Sequence, residues 1–380
     1  MKLMPPVVNV VYYGLASLII KQEMVMNTSI DLRGLLPGEL AELAATLGVE
    51  PYRGRQLFRW LHRRLATSLA FMTDLPADFR ERLAEKAFLL PVKVMDRRVA
   101  DGGLTRKLLL SLVDGELIEC VLMIYDEGRR RLTACLSSQV GCAMGCTFCA
   151  TGQSGFRRNL TTGEIILQAL ALMEEVRREM PDARLSNIVF MGMGEPLLNY
   201  RAVIKAARIF EHPDGWGISH RRITVSTCGL VPQIKRLAGE KPPLELAVSL
   251  HAATNELRER LMPINRRYPL EELIPACRHY GRVTGRRITF EYALIDGLND
   301  RRRDARRLVE LLRGVPAFVN LIPLNPIPGD PFRGTNRAKA RMFASWLEEH
   351  GLAAAVRESR GRDIAAACGQ LRAEAHREVF

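Results

Sequence analysis

Through residues 30–90, apolar positions recur at three- and four-residue steps in LPGELAELAATLGV, GRQLFRWLHRRL and LPADFRERLAEKAFLL. That is the period of helices with one buried face. Pro37, Gly48, Pro51 and Pro76 cut the pattern into separate segments. The spacing predicts a small helical domain over residues 29–90. From Val92 to Leu132 the period drops to two, as in KLLLSLVDG and LIECVLMIY. This predicts a short β region over residues 91–131, leading into a larger domain. There, strand-like runs alternate with helical ones: LTACLSS, NIVFMG, ITVST, LELAVSLH, RITFEYALI and VNLIPL, then AAAVRES. The intervening helices are predicted near 162–179, 200–210, 231–239, 270–284, 302–313 and 335–350. Thr161 and Glu164 open the first with a capping-box spacing. Six strand–helix units imply an α/β fold, a parallel sheet curled into a partial, TIM-like (βα)6 barrel over residues 132–380. Such folds do their chemistry at the C-terminal ends of the strands.

The long apolar run PPVVNVVYYGLASLII, residues 5–20, is shorter than the ~20 residues that span a bilayer. No A-x-A-like cleavage site follows it. Residues 1–28 therefore read as a non-functional N-terminal extension ahead of a start near Met24, and no membrane association is expected. With 47% hydrophobic and 26% charged residues, the chain is neither disordered nor membrane-like in composition. Its net charge of +13 allows a polyanionic partner and equally a solvated arginine-rich surface. Eight cysteines in 380 residues are too few for a secreted disulfide scaffold. Four of them fall between 135 and 149, which points to a metal or to catalysis in a reducing compartment, by default the cytoplasm.

Cys142, Cys146 and Cys149 are spaced C-x3-C-x2-C in the loop after the first core strand. A zinc site wants a fourth Cys or His close by, commonly in a second C-x2-C pair, and no such pair follows. Soft thiolates also suit iron–sulfur clusters, and three thiolates on a [4Fe-4S] cluster leave one iron open. Other strand ends point polar groups at the same rim: MGMGEP (191–196), STCG (226–229), SLHA (249–252) and PLNP (323–326). Gly192 and Gly194 would let backbone approach a ligand, and Glu195 offers a carboxylate to an ammonium. His251, alone, reads as readily as a structural residue. Cys368, in GRDIAAACGQL, reads by itself as a small buried hydrophobe.

C-x3-C-x2-C with Phe148 before its last cysteine resembles the signature of the radical S-adenosylmethionine superfamily, and MGMGEP its glycine-rich segment. Six stretches taken in order are similar to the RlmN/Cfr family of radical S-adenosylmethionine RNA adenine methyltransferases, nearest to the RlmN branch. They are CLSSQVGCAMGCTFCATGQSGFRRNLTTGEI, MGMGEPLLNY, RRITVSTCG, AVSLHA, LIPLNP and DIAAACGQL. The likeness runs from about residue 30 to the C-terminus.

The resemblance implies that Cys142, Cys146 and Cys149 hold a [4Fe-4S] cluster whose open iron is chelated by S-adenosylmethionine. Gly194, Glu195, Ser226, Ser249, Leu250, His251 and Asn325 match cofactor-contacting positions. It further implies that Cys368 is methylated by a first S-adenosylmethionine. A second is cleaved reductively, and the resulting radical takes hydrogen from the S-methyl group, whose carbon then adds to adenine carbon 2. Cys135 matches the resolving cysteine that releases the adduct by forming a disulfide with Cys368, and Glu119 the proton acceptor, against which stands a solvent-facing strand residue. Cys120 and Cys277 read as structural, and Cys228 stands where many relatives carry serine.

The partners so implied are 23S ribosomal RNA, certain transfer RNAs, and a flavodoxin- or ferredoxin-like electron donor. Arg157/Arg158, Arg221/Arg222, Arg266/Arg267 and Arg301–Arg303 are candidates for phosphate contacts, and the helical domain is an expected RNA-docking module. Motif spacing does not separate carbon-2 from Cfr-type carbon-8 methylation, which uses the same cysteines. A non-enzymatic iron–sulfur or zinc RNA-binding protein would need a closed, four-ligand site.

Overall fold

The computed structural model describes residues 30–371, apart from residues 127, 129, 328, 330, 359 and 362. The apolar run at 5–20 and the expected start near Met24 lie outside the described residues. The chain divides between Pro91 and Val92 into two compact units.

The first unit holds helices α1 (Pro37–Thr46), α2 (Tyr52–His62) and α3 (Ala77–Lys86), with Ile30–Asp31 and Ala87–Phe88 paired as short parallel strands. Pro37 occupies the first position of α1, where a missing N–H removes no helical bond. Leu40, Ala44, Leu57, Phe58, Leu61, Phe79 and Leu83 fill the core between the helices. At Gly54 of α2 a Cβ would lie 2.3 Å from the backbone nitrogen of Ala41, so the absence of a side chain sets how closely α1 and α2 cross.

The second unit is built on one ten-stranded sheet: β1 (Val94–Ala100), β2 (Thr105–Ser111), β3 (Leu117–Tyr125), β4 (Arg131–Cys135), β5 (Leu185–Phe190), β6 (Ile223–Thr227), β7 (Glu245–Ser249), β8 (Ile288–Leu294), β9 (Ala317–Pro323) and β10 (Ala354–Val356). Every strand pairs with its neighbours in sequence. Strands β4 to β10 run parallel, and β1, β2 and β3 extend the sheet antiparallel on the β4 side. The period-two region is therefore part of the main sheet, because the alternation that marks a half-exposed hairpin gives way to burial along Thr105–Leu110 and Ile118–Ile124. AAAVRES supplies a seventh parallel strand beyond the six strand–helix units. Helix Thr162–Val176 stops three residues short of the predicted end, and Glu179 in the turns beyond it pairs with Arg106.

Right-handed crossovers that always step the same way place their helices on one face of the sheet. The other face curves inward. The link from β4 to the cysteine-bearing loop is tied down by Gln168, fully buried on helix Thr162–Val176. Its amide oxygen accepts from the Ser137 N–H at 2.7 Å, and its amide nitrogen donates to the Ser137 carbonyl at 3.0 Å and that of Glu164 at 3.2 Å. The capping box holds the same helix start: Thr161 N–H donates to Glu164 Oε2 at 2.8 Å, and Glu164 N–H to Thr161 Oγ1 at 3.2 Å.

Gln168→Leu keeps the volume and strips Ser137 of both partners. Leaving two buried main-chain groups unpaired costs about 1–3 kcal/mol each. The variant should melt several degrees below the parent, and an unchanged melting temperature would show that the loop is held by other means.

Candidate active site

Cys135 ends β4, and the chain turns into a hairpin of Gln139–Gly141 against Phe156–Asn159 that delivers Cys142. The turn depends on Gly141: its φ is +73°, and a Cβ would meet the Gly155 carbonyl oxygen at 1.9 Å. From there the Cys142 N–H donates to that carbonyl at 2.8 Å, Thr147 N–H to Leu261 O at 3.0 Å, and Cys149 N–H to Cys146 O at 3.2 Å. Cys142 and Cys146 are buried among Leu261, Met262, Ala293, Ile295 and Leu324, with Phe148, Cys149 and Cys228 packed against them. Burial pushes the thiols of Cys142 and Cys149 up to about 12, and electrostatic repulsion from Cys146 adds to both.

A cavity of about 130 Å³ opens over the concave face. Its wall brings together Cys146, Cys149, Gly194, Glu195, Ser226, Ser249, His251, Asn325 and Cys368 from opposite ends of the chain. Four of the residues picked from sequence stand outside that wall. Cys142 lies behind it in the apolar cluster. Leu250 is fully buried and does not line the cavity. Cys135 is half-buried on β4. Glu119 is not a solvent-facing strand residue: it is buried in β3 and ion-paired with Lys107 at 3.1 Å. Lys107 Nζ also reaches the Ala365 carbonyl at 3.2 Å, which links this pair to the segment carrying Cys368. Cys120 and Cys277 are fully buried, in keeping with a structural role.

Close approach at the β5 end is steric in origin. Gly194 has φ +101°, and a Cβ there would lie 2.5 Å from the Gln139 Cβ; one on Gly192 would lie 2.7 Å from the Leu136 carbonyl carbon. Glu195 Oε1 accepts from Leu197 N–H at 3.0 Å and Oε2 from Cys228 N–H at 2.6 Å. Burial raises its carboxyl above the ordinary value, while these bonds and one from Thr227 pull it back. Such a buried carboxylate, already fixed in direction, suits an ammonium. Ser226 Oγ donates to the Phe190 carbonyl at 2.5 Å.

His251 sits at φ +57°, a costly conformation for a non-glycine residue. Its Nδ1 accepts from the Ala293 N–H at 2.9 Å, which assigns the proton of the neutral ring to Nε2. Burial drives the imidazole down to about 3, so it stays neutral at physiological pH. Phe148 meets its ring edge-on at 4.9 Å between centroids.

Two charged cavity residues escaped the sequence reading, Glu291 on β8 and Arg357 just past β10. A charged residue inside the apolar run RITFEYALI was the available signal for the first. Glu291 Oε2 accepts from Asn320 at 2.8 Å. Arg357 lies within electrostatic reach of Glu291, Cys135 and Cys368 alike. Burial pushes both of those thiols up to about 11, and the Arg357 guanidinium pulls each of them down. All eight cysteines are free thiols.

Among the described residues, no three His, Cys, Asp or Glu side chains gather closely enough for a single metal ion. A multi-iron cluster takes its thiolates at separate corners. Three mutually interacting soft donors beside an open cavity fit such a cluster, and the glycine cradle with Glu195 fits an amino-acid moiety next to it.

A singly wound parallel sheet with thiolate donors beyond its first parallel strand, facing a glycine-lined strand end, places the protein in the radical S-adenosylmethionine class. The family model described as Radical SAM superfamily matches residues 136–309, and that of the ribosomal RNA large subunit methyltransferase N-terminal domain matches residues 30–89. A probable dual-specificity RNA methyltransferase RlmN from Moorella thermoacetica is 70% identical over 355 residues, 93% of this chain and 100% of that one. The RlmN of Halorhodospira halophila is 48% identical over 90% of this chain and 93% of its own. The crystal structure of a radical SAM methyltransferase from Sphaerobacter thermophilus superposes with a TM-score of 0.86 at 50% identity, covering 90% of this chain and 99% of that one. The chain belongs to the RlmN family of radical S-adenosylmethionine RNA methyltransferases, whose class implies an iron–sulfur cluster and S-adenosylmethionine. Among the described residues, no helix is long and apolar enough to cross a membrane.

The arginine clusters divide. Arg157 pairs with Glu116 at 2.7 Å, Arg158 with Asp114 and Glu164 at 2.6 and 2.8 Å, and Arg266 with Glu259 at 2.7 Å. Arg221, Arg222, Arg301 and Arg302 are exposed and make no ion pair among the described residues, so they keep their full charge for a polyanion.

The cofactor-free protein should show the effect of burial on Cys368. Its alkylation by iodoacetamide should quicken about tenfold per pH unit from neutrality and level off near pH 11, because the thiolate is the nucleophile. Arg357→Leu should slow the reaction at every pH below that. Mass spectrometry of the labelled peptide reads both, and an early plateau near pH 8 would contradict them.

Proposed function

We propose that the chain methylates carbon 2 of an adenosine in 23S ribosomal RNA, and in certain transfer RNAs, through an S-methylcysteine on Cys368. The observation that carries this is the convergence of Cys368 on the cavity that also exposes Cys146 and Cys149, with Arg357 facing both Cys368 and Cys135. Cys142, Cys146 and Cys149 would hold a [4Fe-4S] cluster, and Glu195, Ser226, Ser249, His251 and Asn325 would seat S-adenosylmethionine beside it. Bound there, the cluster and two S-adenosylmethionine molecules per turnover supply a methyl group and a hydrogen-abstracting radical.

The chain's own residues do the rest. Cys368, whose thiol lines the cavity, takes the methyl group as a thiolate whose charge Arg357 offsets. Its methyl carbon joins adenine carbon 2, an electron-poor centre that a sulfonium methyl does not alkylate directly. Cys135 then attacks the Cys368 sulfur and breaks its bond to the new carbon, which leaves with the RNA and takes a proton to become the methyl group; the Cys135–Cys368 disulfide that remains is reset by an external thiol. Glu119 is the residue for taking up the proton from adenine; in this state it is engaged by Lys107 instead. His251, neutral and fixed through Nδ1, offers Nε2–H to the cofactor as a donor without adding charge. A chamber beside Cys368, lined by Tyr125, Arg357 and Arg360, suits the approach of an unstacked base and its phosphates. The electron comes from a flavodoxin- or ferredoxin-like donor in the cytoplasm, where the pair of thiols stays reducible.

Cys368→Ala should keep its iron and lose RNA methylation to background. Cys135→Ala should stall with RNA covalently attached through Cys368, seen as a nuclease-sensitive gel shift. Methylation retained in Cys368→Ala, or mass spectra of digested RNA with methylation at carbon 8 alone, would overturn the proposal.

A further inference from the structure

One fully buried cation in the second unit has no anionic partner among the described residues. Arg258, on helix Asn255–Leu261, is 0% exposed. Its Nη1 donates to Asn265 Oδ1 at 2.9 Å, and its Nη2 to the carbonyls of Cys228 at 2.7 Å and Ser249 at 3.3 Å. The Nε is buried with no hydrogen-bond partner at all. The orientation of Asn265 is settled by its nitrogen, which donates to the main-chain oxygen and Oδ1 of Asn255 at 3.3 and 3.1 Å. Every acceptor on the guanidinium is thus neutral. No carboxylate pairs with it among the described residues, and the ionisable groups within its reach are Cys228, Cys146, Cys277 and the neutral ring of His251.

A charge removed from water without a counter-ion is costly, and natural proteins keep one when something supplies the opposite charge. The position of Arg258 says what that is. Its helix ends at Leu261, whose carbonyl holds Thr147 in the cysteine loop, and Leu261 and Met262 pack on Cys142 and Cys146. Two of its three acceptors, Cys228 and Ser249, belong to cavity-wall residues. Cys146 and Cys149, two of the three thiols proposed to hold the cluster, line the same cavity. A [4Fe-4S] cluster with three thiolates is a net anion in both redox states, and it gains one more negative charge on reduction.

We propose that Arg258 is the built-in countercharge of the cluster site, a positioning residue that stabilises the reduced cluster electrostatically through the wall formed by Cys228 and Ser249. The inference rests on the cluster reading. A fixed positive charge in a low-dielectric region favours the state with the extra electron. Removing it therefore makes the cluster harder to reduce without touching any ligand.

The test is a redox titration of the anaerobically reconstituted full chain, followed by the electron paramagnetic resonance signal of the reduced cluster. Three variants are compared at equal iron content. Arg258→Lys keeps the charge and should stay close to the parent. Arg258→Met removes it and should lower the ratio of reduced to oxidised cluster at least tenfold at a given potential, about 59 mV for a one-electron couple. Asn265→Asp keeps the arginine and offsets its charge with a carboxylate, and should shift the midpoint in the same direction. The parent midpoint in a folded, iron-loaded Arg258→Met or Asn265→Asp would overturn the inference. Absence of iron in the parent itself would instead overturn the cluster reading.

Discussion

Seven parallel strands that each pair with their sequence neighbour impose one constraint on everything else: the connections step in a single direction, so one face of the sheet must remain concave. A doubly wound sheet reverses its strand order and buries both faces under helices. Here the crossover helices belong to the opposite face, and the C-terminal strand ends converge on the mouth of the concave one. Residues as distant in sequence as Cys146 and Cys368 meet across it for that reason alone. The antiparallel strands β1 to β3 lengthen the sheet beyond β4 and bring Glu119 and Lys107 beneath the segment that carries Cys368.

A concave face is useful only if its rim holds still, and the rim here is loop. It is stiffened by main-chain groups bonded to buried side chains. Ser137 is fixed by Gln168 and donates its own Oγ–H to the Glu119 carbonyl at 2.6 Å, while that oxygen accepts the Met193 N–H at 2.8 Å. Asn199 Nδ2 joins the carbonyls of Ser138 and Leu160 at 2.8 and 2.7 Å. The β4 and β5 loops are thereby one unit, and the glycines at 192 and 194 are where they touch. A side chain at either would push Glu195 and the cysteine loop apart.

What could be read from the sequence follows from the range of each interaction. Helices and strands have periods of a few residues, so LELAVSLH and the helix at 270–284 are legible in place. The cysteine spacing is equally local. Leu250, by contrast, is adjacent in sequence to two cavity residues and faces the core, because neighbouring side chains near a strand end point to opposite sides. For Glu119 the sequence allowed a proton acceptor or a solvent-facing strand residue; only the third dimension shows Lys107 paired with it. Arg357 and Arg258 carry no local signal at all. An arginine in a basic chain is ordinary, and its meaning lies in the lack of water and of carboxylates around it.

The cavity wall breaks several rules that the rest of the fold obeys. His251 holds a positive φ; Glu195 is a buried carboxylate bonded to neutral donors, and Arg258 a buried cation bonded to neutral acceptors. Each of these destabilises the cofactor-free chain. Elsewhere buried charge is matched within the protein, as with Lys107 and Glu119. Strain concentrated on one surface, with charges left unmatched on the side facing the cavity, is what a site built around absent partners looks like. An ammonium beside Glu195 and an anionic cluster near Arg258 would each settle a charge that the polypeptide leaves open. The carbonyl of His251, held by Asn299 at 2.8 Å, shows that the strained backbone is itself anchored rather than loose. The fold thus holds the arrangement ready at its own expense, and cofactor binding energy is what offsets it.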